Sequence, residues 1–172
     1  MAENPSLSRV ELIARQLGDS LTEEAQWSVS PGDRLFRDML VKYGFKDASW
    51  DSPGGWHCYI TDVIKETDYA ERWRTKSPDA LRNAGETWWP VFKWEFENSK
   101  PRFVVTMGGK ARDVLKHLSN AYGLTLPHTE HIVHYSYIGS RAEGRLGPMH
   151  PIRVQKYDEA FARVAGAFRV VG

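Results

Sequence analysis

Lys100-Pro101-Arg102-Phe103-Val104-Val105-Thr106-Met107-Gly108-Gly109 decides how this chain is read. Phe103 to Met107 is a short continuous apolar run rather than an alternation of polar and apolar residues. Alternation marks a strand wetted on one face, whereas a continuous run suits a strand buried on both faces, as in a parallel sheet. Gly108-Gly109 then turns the chain, and Lys110 to Tyr122 reads as a helix.

Working outward, the same alternation of strand and helix continues. Toward the C-terminus, His131 to His134 is the next predicted strand, residues 139–152 form a Gly/Pro-rich loop, and Val154 to Phe168 closes with a helix. Toward the N-terminus, Asp79 to Ser99 reads as a helix that Pro90 should break or kink. Lys65 to Ser77 is polar and irregular. Trp56 to Ile64, rich in aromatic and β-branched residues, reads as a strand. Ser30-Pro31 opens a helix with Pro at its first position; Leu35, Phe36, Met39, Leu40 and Tyr43 form its apolar face, and Gly44 stops it. Ahead of it lies a polar loop containing Trp27. Val10, Ile13, Ala14 and Leu17 give Ser8 to Leu17 helical spacing, with Ser6 or Ser8 as the cap, Glu11 completing a capping box with Ser8, and Gly18 at the end. The first strand is reduced to a stub, Met1-Ala2-Glu3, against the usual five or six residues.

The order βαβαβα with short connections predicts an α/β fold. The expectation is a three-layer α/β/α sandwich around a short, mostly parallel four-stranded sheet whose first strand is very short or missing. Residues 1–172 are expected to form a single domain, a length that can bury a sizeable core.

Composition narrows the classes. With 41% hydrophobic and 26% charged residues, the chain is globular and not disordered. A formal net charge of +1 argues neither for nor against nucleic acid, so any DNA-binding face must be a local patch. No apolar stretch approaches the roughly 20 residues that span a membrane, so no membrane partner is expected. The polar start, with Pro5, lacks a signal-peptide pattern. The one cysteine, Cys58, excludes an intramolecular disulfide and a cysteine-ligated iron–sulfur cluster. A cytoplasmic monomer, in a bacterial-type cytosol or nucleoid and not secreted, is the expectation.

Two polar loops far apart in sequence carry the candidate chemistry: Glu3-Asn4-Pro5-Ser6-Leu7-Ser8 and His134-Tyr135-Ser136-Tyr137-Ile138. Each follows a predicted strand. In an open parallel sheet such strand ends lie on one edge and form the binding crevice, so the two loops are expected to share a site. His128, Glu130, His131 and His134 invite a metal reading, but alternate strand positions put His131 and His134 on opposite faces and no firm third ligand is visible. No metal and no cofactor is expected.

In this order the motifs resemble those of the uracil-DNA glycosylase superfamily, above all its mismatch-specific and single-strand-selective branches. Ala2-Glu3-Asn4-Pro5-Ser6-Leu7-Ser8 is similar to the family's Gly-x-Asn-Pro-Gly motif. Gln26-Trp27-Ser28 and Ser30 to Phe36 resemble its aromatic loop and following helix. Tyr59-Ile60-Thr61-Asp62-Val63-Ile64-Lys65 resembles the Tyr-Ile-Thr-Asn-Val-Val-Lys strand. Lys100 to Gly108 resembles the Lys-Pro-x-x-Val-Val-x-x-Gly strand, and His134-Tyr135-Ser136-Tyr137-Ile138 the final His-Pro-Ser motif. The chain departs from the pattern in its stub of a first strand, in Tyr135 where proline is usual, and in Asp62 where several branches carry asparagine.

The resemblance implies a uracil-DNA glycosylase-like fold and a DNA N-glycosylase acting in base excision repair on single- or double-stranded DNA. Such an enzyme extrudes a base, stabilises the negative charge that gathers on it and supplies a water. His134 would donate a hydrogen bond to the base oxygen; a neutral donor avoids desolvating an ion. Asn4 would hold the water, with Glu3 as the competing candidate. Trp27 or Phe36 would stack on the flipped base, with Ser136 beside it. Phe36 also lies on its helix's apolar face, which points to a core role. Asp62 would read the base edge if protonated, or read a substrate with two adjacent donors, or pair with Lys65 or Arg102 and never touch the base. Ile138 would enter the duplex as an apolar wedge, while Arg141 and Arg145 would contact phosphates or the orphan base; Lys110, at a helix start after Gly108-Gly109, is a further candidate phosphate contact. The rival expectation is a member of the same fold that binds nucleic acid or nucleotide without cleaving it.

Overall fold

The computed structural model describes residues 30–49, 54–66, 70–139 and 149–171. Among them are six helices and a small parallel sheet of two strands. They run in the order α1 (Pro31–Lys42), α2 (Ala70–Thr75), α3 (Pro78–Ser99), β1 (Phe103–Met107), α4 (Gly109–Tyr122), β2 (His128–Ile132), α5 (Tyr135–Gly139) and α6 (Pro151–Val171). The chain is therefore a mixed helix–strand protein. The described sheet holds two strands where four were expected, and the stub at residues 1–3 and the helix at residues 8–17 lie outside the described residues.

The described residues divide into two compact units. The first is Ile60–His131; the second joins the described residues up to Tyr59 with those from Ile132 onward. Among the described residues the predicted strand Trp56 to Ile64 is reduced to single bridge positions at Trp56 and Asp62. Its two halves belong to different units. In the second unit, Asp47 N–H donates to Gly55 O at 2.7 Å and His57 N–H to Phe45 O at 3.0 Å, which leaves one isolated antiparallel bridge, Lys46 to Trp56. In the first unit, the neighbours Val63 and Ile64 are both buried, so the alternation of faces that a strand imposes is lost.

The first unit is organised on the β1–α4–β2 crossover. Gly108, at φ +87° with no side chain to clash, makes the turn from β1 into α4. β1 and the inner faces of α3 and α4 enclose Val104, Phe92 and Leu115, while Val63, Ile64, Trp73, Leu81, Ala111, Val114 and Leu118 form the adjoining core. α3 and α4 approach closely at Gly85: a Cβ there would stand 2.6 Å from Val114 Cγ1. Pro90 lies inside α3 without ending it. Leu81 and Gly85 before it and Phe92 after it are all buried, so packing on both sides of the proline holds the helix through the lost hydrogen bond. The polar stretch before α3, read as irregular, contains the short helix α2.

β2 lies three residues earlier than the apolar run His131 to His134 suggested. Backbone pairing with β1, not side-chain polarity, sets its bounds: His128 and Thr129 are exposed and only Ile132 is buried. The His128 ring stacks on Phe103 of β1 with centroids 5.1 Å apart.

The second unit is helical. α1 starts where Ser30-Pro31 predicted, with Ser30 Oγ accepting from Asp33 N–H at 3.2 Å. Its apolar face meets α6 around Phe161, whose ring lies 6.0 Å from Phe36, 6.1 Å from Tyr43, 6.4 Å from Phe45 and 5.2 Å from Tyr157. Lys42 Nζ donates to Asp158 Oδ1 at 2.6 Å on the rim of that contact.

Candidate functional site

The chain leaves β2 at Ile132, and His134 stands two residues on, at the head of α5. Tyr135–Gly139 was expected as loop; it forms one helical turn packed on α1, opened by the bond from Tyr137 N–H to His134 O at 3.0 Å. The chain returns at Met149, whose N–H donates to Ile138 O at 3.0 Å, and His150 Nδ1 accepts from Ile152 N–H at 3.3 Å as α6 begins.

This turn fixes the chemistry of His134. Ser136 N–H donates to Nδ1 at 3.1 Å, and Ser136 Oγ lies 2.8 Å from the same atom. A nitrogen that accepts a backbone N–H cannot carry a proton in the neutral ring, so the proton sits on Nε2. Burial pushes the imidazole down to about 4, so the ring is neutral at pH 7. His134 therefore presents a neutral Nε2–H donor. Its plane is held by Tyr135, whose ring centroid lies 4.3 Å away, and Tyr135 in turn stacks on Phe36 at 5.6 Å and 19°.

Polar groups are buried beneath this ladder. Asp33 is 0% exposed, and its Oδ2 lies 3.6 Å from Nε of the buried Arg37, one helical turn on. Tyr157 is 1% exposed, and its hydroxyl has no hydrogen-bond partner among the described residues. Burial, and then the neighbouring Tyr135 and Asp33, raise the Tyr157 phenol above its ordinary range, so it stays protonated.

No family model, no curated protein and no solved structure matches the chain.

Of the residues singled out in the sequence, Glu3, Asn4, Trp27, Arg141 and Arg145 lie outside the described residues. His134, Ser136, Phe36 and Ile138 belong to the second unit and are brought together by α1 and α5. Phe36 is 4% exposed and packs against Tyr135 and Phe161, so it is a core ring that supports the His134 ladder. Ile138 is 2% exposed, so this conformation does not present it to solvent as a wedge.

Asp62 and Lys110 belong to the first unit. Lys65 Nζ donates to Asp62 O at 2.6 Å and to Glu95 Oε2 at 2.6 Å, and also meets Thr61 Oγ1, which itself donates to Glu95 at 3.0 Å. The ion pair with Glu95 thus clamps the Asp62 segment onto α3. Lys110 Nζ donates to Trp73 O, which ties the start of α4 to α2.

Sequence reasoning passed over Tyr137, Tyr157, Arg153 and Glu95. The spacing Arg153–Tyr157–Phe161, every fourth residue, is a helical stripe that signalled one buried face. Nothing local signalled Glu95, which is 30 residues from its lysine partner.

Among the described residues no group of three potential metal ligands converges, and no helix is long and apolar enough to cross a membrane.

Proposed function

We propose that this chain is a DNA N-glycosylase of the uracil-DNA glycosylase type, which flips a uracil or a related deaminated base and hydrolyses its glycosidic bond. The observation that carries the reading is the tautomer of His134. Nδ1 is occupied by Ser136, so the neutral ring has one donor to offer, Nε2–H. In this reaction the C1′–N bond breaks with its electron pair leaving on the base, and a water oxygen bonds to C1′ while its proton passes to solvent. The leaving base gathers negative charge on its carbonyl oxygen. A fixed neutral donor aimed at that oxygen strengthens as the charge grows and brings no ion that must first be desolvated. Phe36 and Tyr135 hold the ring, which supports a donor whose direction is set before substrate arrives. The Asn4 and Glu3 roles toward water, the base-edge role of Asp62, stacking by Trp27, and phosphate contacts by Arg141 and Arg145 remain part of the proposal, as does the α/β/α arrangement with four strands.

Incision tests it. Oligonucleotides carrying uracil, hypoxanthine, xanthine or a 5-substituted uracil, single- and double-stranded, should yield an abasic site on at least one. His134→Ala should then lower the rate about 100- to 1,000-fold, the usual cost of one lost charge-stabilising donor. Abasic product from none of them would end this reading. The rival reading, a binder of nucleic acid without cleavage, is favoured by the burial of Ile138, which removes the expected wedge. DNA binding without abasic product would establish it.

A further inference from the structure

We draw no further inference here: the strongest candidate, the N-terminus of α4 after the Gly108-Gly109 turn, whose first turn holds Lys110 and Arg112 and no acidic residue, carries nothing, because Lys110 is bonded to Trp73 O, Arg112 is paired with Asp113, and a helix N-terminus by itself names no ligand.

Discussion

Acid should destabilise this protein through His134 before most carboxylates titrate. Burial lowers the imidazole from 6.5 to about 4 in the folded protein. The unfolded chain carries a proton on this residue below about pH 6.5, and the folded chain takes it up only near pH 4. Between those limits the unfolded state binds more protons, so stability rises with pH. The contribution is complete above about pH 6.5 and is lost progressively as pH falls toward 4. One proton gives a slope of about 1.4 kcal/mol per pH unit, and the whole window from 6.5 to about 4 amounts to at most about 3.5 kcal/mol, less where water reaches the half-buried ring.

Two measurements check this. Imidazole nitrogen–proton spectra across pH 3.5–8, with His134→Ala assigning one of the six histidines, should show a ring that is still neutral at pH 5 and protonated on Nε2. Urea unfolding at several pH values should show parent and His134→Ala diverging in the same window, with the variant's curve flatter. A His134 titrating near 6.5, or a neutral ring protonated on Nδ1, would refute the reasoning and remove the observation on which the proposed function rests.

Two further outcomes follow from packing and charge. Gly85→Ala should destabilise by about 1–3 kcal/mol despite alanine's better helix propensity, because its Cβ meets Val114 Cγ1 at 2.6 Å. Thermal unfolding should show the loss, and Val114→Ala in the same chain should restore part of it. Glu95→Gln should cost about 1–2 kcal/mol by leaving Lys65, whose side chain is 17% exposed, without its carboxylate. In urea unfolding the double change Lys65→Met with Glu95→Leu should recover most of that; a double variant as unstable as the two single changes added together would refute the pairing.

Helices were legible where local chemistry agrees with packing. Ser30-Pro31 is both a cap and a helix start, and α1 begins there. Phe103 to Met107, apolar but for Thr106, is β1. Reading failed where pairing or packing overrode local preference. Asp79 to Ser99 reads as a helix that Pro90 should break or kink, and the helix runs through Pro90 unbroken between buried residues on either side. His128 and Thr129 are too polar to look like a strand, yet they continue the backbone ladder of β1. Trp56 to Ile64 has strand composition but straddles two units. At the candidate site, His134 was legible as a polar residue after an apolar run. That the next five residues form a helical turn was not, and this turn is what buries Ile138 and exposes Tyr137.

By itself the amino-acid sequence determined the alternating helix and strand propensities, the β1–α4–β2 crossover and the position of His134 after its second strand. These are short-range matters of periodicity, capping and glycine placement. Only the tertiary structure decided which nitrogen of His134 holds the proton, that Phe36 supports the ring through Tyr135, and that Lys65 pairs with Glu95. Those depend on atoms brought together from distant positions or on the helical geometry of α5. A tautomer, a stacking order and an ion pair are set by where a polar atom finds its partner, and residue types alone do not specify that.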